Sequence, residues 1–465
     1  MNPTTTPSPW MPVVLASALF MELLDTAALG AALPTMAREF GTNPLHLRLA
    51  LTTYLLTAAI LMPASGWLAE RLGARRLFVA AMALFVLGSV TCGFAQSTGQ
   101  LVASRALQGV GGAMMTPVAR MIVIAATPRA ALIRALTAFT LPAIFGPLLG
   151  PVLAGFLLEV ANWRWIFFIN LPIGLIGIFA VLALVPRIPR SAPGAFDLLG
   201  FLTAGVVILS VLVVAESIGR DLWSPPVTGV AALVAVLSMT MLAWQVRRTP
   251  VPILDFRLLS RGTFRASMVG GSVARISIGA TPFLMPLFLQ SGLGWSPLRA
   301  GTVMTSMMAG AVVARYVGAE SVRLLGFRRT LLWTAGATAL FAALPAWFTG
   351  STPLPLVVLA LFGLGLVRAA HFVPCSALAY ADIAPEEVSR ASTLSTVIQQ
   401  VTLGLGVSIA GLLLDFFRSG PALQLADFSG TFLALGLLSL GGIPTYLRLD
   451  RQAGLHMRSG ALNHA

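Results

Sequence analysis

The sequence lacks lysine altogether and has few charged residues of any kind. All thirty of its basic side chains are arginine, and charged residues occupy only 10% of its 465 positions. A P-loop needs a lysine that reaches the nucleotide phosphates, and a Schiff-base enzyme needs a lysine amine. The absence of lysine therefore excludes an ATP-driven pump within one chain, and it excludes Schiff-base catalysis.

Cysteine and histidine are scarce as well. Cys92 and Cys375 lie far apart in the sequence, in or beside apolar runs, so they indicate neither a disulfide framework nor a metal cluster. The four histidines have no companions at metal-ligand spacing: His46, His371, His456 and His464. We therefore expect no metal and no organic cofactor.

Apolar residues, in contrast, make up 57% of the sequence. A soluble domain carries roughly 25% charged residues, so this chain has too few to cover a water-exposed surface. One transmembrane helix takes about 20 apolar residues. The composition therefore predicts an all-α polytopic membrane protein whose main partner is the lipid bilayer.

Fourteen apolar segments are long enough to span a bilayer. No connection between them is long enough for a soluble domain, so any function must lie within the helix bundle. Because fourteen is an even number, both termini lie on the same side of the membrane. The predicted spans are residues 13–34, 50–69, 77–95, 101–124, 132–157, 164–185, 198–216, 227–246, 264–289, 300–317, 331–348, 354–377, 393–414 and 429–447.

The arginines are distributed unequally between the two sides. Twenty lie in connections that follow even-numbered spans or in the C-terminal tail, and only six lie in the opposite connections. Cytoplasmic loops of membrane proteins carry the excess of arginine. This distribution predicts a multi-pass membrane protein with both termini in the cytoplasm. It also accounts for the net charge of +14 without a nucleic-acid partner.

A weak internal repeat divides the chain into halves. The loop after span two reads Gly-Ala-Arg-Arg at 73–76, and the loop after span ten reads Gly-Phe-Arg-Arg at 326–329. Their alignment makes spans one to six equivalent to spans nine to fourteen, which is typical of transporters with a midplane site. The predicted regions are an N-terminal six-helix bundle (1–190), two linker helices (191–260), a C-terminal six-helix bundle (261–450) and a cytoplasmic tail (451–465).

Two acids lie near the middle of the first predicted span. Ionisable groups within a bilayer cost about 2.5 to 3.5 kcal/mol each on insertion scales, so they are functional candidates. Glu22 and Asp25 are three residues apart and share a helix face, where burial and mutual repulsion favour proton exchange by one of them. The sequence favours Asp25. It leaves open that one acid is permanently paired with an arginine such as Arg105.

Span five combines proline and glycine in a pattern that predicts a kinked helix with one smooth face. Proline removes helix hydrogen bonds, and glycine permits close approach of a neighbouring helix. Such a helix can seal a cavity during a conformational change, although a static packing seam would have the same sequence. The residues are Gly146, Pro147, Gly150 and Gly155.

The polar intramembrane residues of the second half carry positive charge or none. A cavity that they line would accept an anionic or zwitterionic solute. The alternative is that they form ion pairs with span one. They are Arg275, Gln290, Arg368, His371 and Gln399.

Four stretches of the sequence resemble the major facilitator superfamily, and specifically its fourteen-helix drug:proton antiporter branch. They are residues 24–34 in span one, the loop 66–76, the span-four run 105–113 and the run 163–174. The resemblance extends over essentially the whole chain. It implies two six-helix bundles with two inserted helices.

By this resemblance, the loop after span two is the family's gating motif, which locks the cytoplasmic ends of the two halves together. The acid of the motif is Glu70, where the family usually has aspartate, and the cations are Arg71 and Arg75. Gly66 and Gly73 permit close packing in the family's motif.

The resemblance also implies roles in spans four and five. Arg105 matches the arginine that the family associates with proton coupling. The span-five glycines match the motif associated with antiport, although Pro151 stands where the family has a glycine.

Together these features predict a proton-coupled secondary transporter, not an enzyme, that exports drug-like or amphipathic small molecules by alternating access. Asp25, Glu22 and Arg105 would couple transport to the proton gradient, and we expect the protein to be a monomer. One alternative is an exporter of a small organic anion or metal chelate, such as a citrate-like solute. More distant alternatives are a membrane-embedded lipid enzyme and a non-transporting sensor.

Overall fold

The protein is helical throughout the part of the chain that the computed structural model describes. These residues are 8, 10–128, 131–186, 188, 194–217, 225–250, 252–420, 423–450 and 452–453, and none of them lies in a strand. Thirteen of the described helices are long and apolar enough to cross a membrane. The predicted all-α polytopic fold is therefore confirmed. The chain forms two compact units, Met1–Gly205 and Val206–Ala465.

Unit 1 contains eight helices and the first part of a ninth, which continues into unit 2. A 3₁₀ turn, Met62–Ala64, joins α2 to α3, so the two form one membrane crossing. The helices are α1 (Met11–Glu39), α2 (Arg48–Leu61), α3 (Ser65–Leu72), α4 (Ala74–Gly93), α5 (Thr98–Ala126), α6 (Leu132–Val160), α7 (Trp165–Phe168), α8 (Asn170–Leu184) and α9 (Leu198–Ser217).

Small residues allow the helices of unit 1 to pack closely. The main pairs are α1 with α6, α4 with α5, and α2 with α5. A Cβ on Gly111 would lie 2.6 Å from the carbonyl oxygen of Ala81, and one on Gly109 would lie 2.8 Å from Thr57 Cβ. Glycine at these positions therefore lets α5 contact the backbones of two neighbours at once, as membrane helix packing requires.

Unit 2 contains the remaining helices and two π-helical segments. The π segments, Ala266–Gly270 and Phe288–Gly292, lie at the two ends of α12. The helices are α10 (Pro225–Arg248), α11 (Gly262–Arg265), α12 (Gly271–Leu287), α13 (Pro297–Ala343), α14 (Leu354–Leu378), α15 (Val388–Phe417), α16 (Leu425–Ser439) and α17 (Ile443–Leu447).

Glycines likewise position the main helix pairs of unit 2, α13 with α14 and α12 with α15. A Cβ on Gly365 would lie 1.8 Å from the carbonyl oxygen of Met307, and one on Gly279 would lie 2.2 Å from that of Leu403. Any larger side chain at either position would force the helix pair apart.

The long helix α13 accounts for two of the fourteen predicted spans. Gly326 interrupts it with a φ of 78° and a ψ of 166°, so the chain forms two helical segments there. The predicted span 300–317 lies in the first segment. That segment is helical but is not among the thirteen apolar crossings found in the described part of the chain.

The internal repeat predicted from the two loops has a conformational counterpart. Gly73 has a φ of 92° and Gly326 a φ of 78°, and they are two of the four glycines with positive φ in the described part of the chain. Each breaks the chain between two helices. A left-handed φ of this kind favours glycine, which explains why both loops contain it at the aligned position.

Candidate functional site

The acidic pair of α1 lies inside unit 1. Asp25 is completely buried, whereas Glu22 is half-buried. Their three-residue spacing places them on the same face of the helix, yet they have different neighbours.

Asp25 forms an ion pair with Arg105 of α5, whose Nη1 donates to Asp25 Oδ2. The Arg105 side chain is also completely buried. Its Nε donates to the carbonyl oxygen of Ala50 at 3.1 Å, and its Cζ lies 4.5 Å from the centre of the Tyr54 ring. This is the pairing that the sequence left open for one of the two acids.

Two buried amides complete the environment of Asp25. Gln108 Nε2 and Asn170 Nδ2 each donate to Asp25 Oδ1 at 3.0 Å. Asn170 Nδ2 also donates to Ser89 Oγ at 2.9 Å, and that hydroxyl donates to the carbonyl oxygen of Phe167. The carboxylate is therefore held by groups from α5 and α8 through one ion pair and two hydrogen bonds.

Glu22 has a simpler environment. Thr116 Oγ1 of α5 donates to Glu22 Oε2 at 2.8 Å. Among the described residues, no arginine lies within ion-pair distance of Glu22. Of the two acids, Glu22 is thus the one whose charge is not fixed by a cation within unit 1.

The span-five motif packs directly against the acidic segment of α1. A Cβ on Gly146 would lie 2.9 Å from Leu23 Cβ, and one on Gly150 would lie 2.8 Å from Ala27 Cβ. The two glycines therefore bring α6 against the turns of α1 that carry the acids. The other predicted residues of this motif, Pro147 and Gly155, lie within α6.

The charged residues of the gating motif are at the surface of unit 1. Glu70 and Arg71 are exposed, and Arg71 Cζ lies 4.9 Å from the centre of the Trp67 ring. Arg75 donates to the carbonyl oxygen of Leu182, near the C-terminal end of α8. In the described part of unit 1 these three charges form no ion pair with one another.

The two glycines of the gating motif have different surroundings. A Cβ on Gly66 would meet no atom within 4 Å, so the close packing expected there is absent from the described residues. Gly73 instead allows a backbone conformation at the turn between α3 and α4, because its φ of 92° is unfavourable for residues with a side chain.

Arg368 and His371 of α14 contact different helices of unit 2. Arg368 Nη2 donates to the carbonyl oxygen and to Oγ of Ser277, both at 2.8 Å. His371 Nδ1 is 2.8 Å from Thr334 Oγ1, and its Nε2 is 2.9 Å from Tyr446 Oη. Arg368 thus contacts α12, whereas His371 contacts α13 and α17.

The other predicted cavity residues of unit 2 are dispersed. Arg275 is buried, its Nη1 donates to the carbonyl oxygen of Ser267 at 3.3 Å, and its Nε and Nη2 have no hydrogen-bond partner among the described residues. Gln290 and Gln399 are partly exposed, on a π segment and on α15. In the described part of the chain, no three His, Cys, Asp or Glu side chains come close enough to hold a metal ion.

Asp255, which sequence reasoning did not single out, lies between α10 and α11 and forms an ion-pair cluster with two arginines. Its Oδ1 is 2.7 Å from Arg257 Nε, and its Oδ2 is 2.7 Å from Arg390 Nη1 of α15. Burial opposes ionisation of Asp255, but the hydrogen bonds and charges of the two arginines outweigh it and lower the pKa of this carboxyl. The cluster fastens the loop after α10 to α15.

Known proteins are similar to this chain over most of its length. The Major Facilitator Superfamily profile matches residues 15–264 and 267–459. The chain is 40% identical over 416 residues to the "Putative multidrug resistance protein MdtD" of Pectobacterium carotovorum, covering 88% of this chain and 87% of that protein. It is 39% identical over 418 residues to the protein of the same name from Escherichia coli O157:H7, with the same coverage.

Solved structures share the fold at low sequence identity. A peptide transporter POT in complex with sulfate superposes with a TM-score of 0.71 and 17% identity, over 96% of this chain and 95% of that one. A D-xylose-proton symporter superposes with a TM-score of 0.67 and 14% identity, over 95% of this chain and 98% of that one. The chain therefore belongs to the major facilitator superfamily and is a multi-pass membrane transporter, not an enzyme.

Proposed function

We propose that this protein exports drug-like or amphipathic small molecules across the bacterial inner membrane in exchange for protons. In this proposal the protein acts as a monomer with both termini in the cytoplasm, and the proton gradient is its only energy source. The multidrug resistance names of its relatives support the substrate class. The excess of arginine in alternate connections supports the orientation.

The observation that carries the proposal is the unequal environment of the two acids on α1. Asp25 is enclosed by Arg105, Gln108 and Asn170, so its protonation would leave a buried guanidinium without a counter-charge. Glu22 has a neutral hydroxyl partner, Thr116. We assign the exchanged proton to Glu22, and we assign Asp25 and Arg105 to positioning α1 against α5.

The packing of α6 against α1 links proton binding to helix movement. Gly146 and Gly150 contact α1 at residues that flank or adjoin Glu22 and Asp25. Any displacement of α1 on protonation is therefore transmitted to α6 through direct backbone contact, since close-packed helices move together and not independently.

A flux assay on purified protein in liposomes tests this function. With an imposed pH gradient, we expect accumulation of an amphipathic dye such as ethidium, and we expect its loss when the gradient is collapsed with an ionophore. Dye movement that is independent of the pH gradient would contradict proton coupling. The assay should use a panel of amphipathic dyes, because a single dye that is not transported would not exclude transport of other amphipathic compounds.

One observation favours a second candidate, the export of a small organic anion. Arg275 and Arg368 lie within unit 2 and make no ion pair with any described carboxylate, although intramembrane cations normally pair. An anionic substrate would supply the missing charge. Two results together would favour this candidate over the first. The liposomes would take up citrate but not the dyes, and the Arg368→Gln variant would lose the citrate uptake.

A further inference from the structure

A groove at the surface of unit 1 combines two arginines with an apolar wall. It lies between the start of α4 and the end of α8 and has a volume of about 660 Å³. We call it the α4–α8 groove. Its lining residues are Leu72, Gly73, Arg75, Arg76, Val79, Ala80, Ala83, Leu182 and Ile188.

Charge and apolar surface are separated along the groove. Arg75 and Arg76 lie in the first turn of α4, and Ala80 and Ala83 follow on the same helix. At 1.5 Å per residue, the apolar wall extends about 10 Å along α4 beyond Arg76. The small side chains at 80 and 83 leave a trough there, opposite Leu182 of α8.

The arginines have unused capacity to bind an anion. Arg76 is exposed. Arg75 donates to the carbonyl oxygen of Leu182, but its Nε is buried and has no hydrogen-bond partner among the described residues. None of the described residues that line the groove is acidic, so the two positive charges are not neutralised locally.

We propose that the α4–α8 groove binds one anionic phospholipid. The lipid phosphate lies against Arg75 and Arg76, and the first part of an acyl chain lies along Ala80 and Ala83. Basic clefts between membrane helices at the cytoplasmic surface are suited to anionic headgroups. A free phosphate would use the arginines but not the apolar trough, and the charge pattern matches a molecule that is anionic at one end and apolar at the other.

A second surface cleft provides a built-in comparison. A cleft of about 800 Å³ in unit 2 also contains two arginines, Arg265 and Arg448, but it contains Asp382 and Asp450 as well. Its positive and negative charges balance. We therefore expect no preference for anionic lipid there.

Native mass spectrometry of the full-length protein in detergent tests the proposal with phosphatidylglycerol and phosphatidylcholine as probes. We expect phosphatidylglycerol to bind more tightly, and Arg76→Gln to weaken its binding about fivefold without affecting phosphatidylcholine. The matched control, Arg448→Gln, should leave phosphatidylglycerol binding unchanged. Ala83→Leu, which fills the trough but keeps both charges, should weaken binding as well.

Three results would overturn the proposal. The first is equal binding of the two lipids by the unaltered protein. The second is wild-type phosphatidylglycerol binding by Arg76→Gln. The third is displacement of phosphatidylglycerol by millimolar inorganic phosphate, since that would indicate a free-anion site. None of these measurements depends on transport, so they stand apart from the proposed function.

Discussion

At the scale of single residues, Asp25 and Glu22 differ in what their charge does for the fold. Asp25 neutralises a guanidinium that has no contact with solvent. Glu22 accepts a hydrogen bond from the Thr116 hydroxyl. Loss of the Asp25 charge should therefore lower the stability of the fold, and loss of the Glu22 charge should impair proton movement.

We predict that Asp25→Asn destabilises the protein by about 3–5 kcal/mol, because it leaves Arg105 buried without a counter-charge. Glu22→Gln should cost only about 1 kcal/mol, the usual contribution of one hydrogen bond. Thermal unfolding in detergent measures both effects. An Asp25→Asn variant as stable as the wild type would show that Arg105 does not depend on Asp25.

The Asp255 cluster predicts a pH-dependent contribution to stability. Since the pKa of Asp255 is lower in the folded chain than the usual value of about 3.9, its ion pairs stabilise the fold at neutral pH. This stabilisation is lost as the pH falls, first through the usual aspartate pKa and then through the lower pKa of Asp255 in the folded chain.

Comparison of the wild type with Asp255→Asn checks this prediction. The wild type should have the higher melting temperature at pH 7, and the difference should shrink progressively as the pH falls below the usual aspartate pKa of about 3.9. A difference that stays constant over this range would contradict the assigned ion pairs.

The sequence identified the charged residues of the site and left open the pairing of one acid with Arg105, but it did not identify the two amides that hold Asp25. Glu22, Asp25 and Arg105 stand out because ionisable groups are rare within apolar runs. Asn170 stood out only as part of the run 163–174 that resembles the family, and it lies 145 residues from Asp25. No spacing rule connects residues so far apart, so the two amides that hold Asp25 could be found only in the folded chain.

At the scale of helices, Gly73 and Gly326 mark the break between two helical segments in each half of the sequence repeat. Both have positive φ, and the sequence repeat located them because glycine recurs before a pair of arginines. The predicted span 264–289 contains α12, which has a π segment at each end. The sequence did not predict these π segments, because they depend on packing against neighbouring helices.

A pair of glycines within α13 provides a test of this interpretation. Gly326→Ala should destabilise the protein by about 1–2 kcal/mol, since alanine is strained in a left-handed conformation. Gly336→Ala is the matched control. A Cβ on Gly336 would meet no atom within 4 Å, so alanine there should stabilise the helix by up to about 1 kcal/mol. Equal changes in the free energy of unfolding for Gly326→Ala and Gly336→Ala would contradict the conclusion that the positive φ at Gly326 requires glycine.

At the scale of the whole molecule, composition and hydropathy predicted the helices well. Thirteen of the fourteen predicted spans correspond to apolar helices, because a membrane crossing has few alternatives to a long apolar helix. The span 300–317 is helical but more polar. Hydropathy does not give the orientation in the membrane. That orientation was predicted from the distribution of arginine, and chemical labelling can test it.

Thiol labelling of intact cells measures that orientation. The native Cys92 and Cys375 are both buried, so they should react little with a membrane-impermeant maleimide. We predict labelling of Ser97→Cys, in the connection after span three, and no labelling of Ser260→Cys, after span eight. The reverse pattern would place the termini outside.

The most direct test of the central claim is substrate-driven proton movement by wild-type protein and Glu22→Gln in liposomes that contain a pH-sensitive dye. The account predicts that the wild type moves protons when substrate is added and that Glu22→Gln does not. Glu159→Gln, which changes an exposed acid at the end of α6, should behave like the wild type. Proton movement by Glu22→Gln at the wild-type rate would contradict the assignment of the exchanged proton to Glu22.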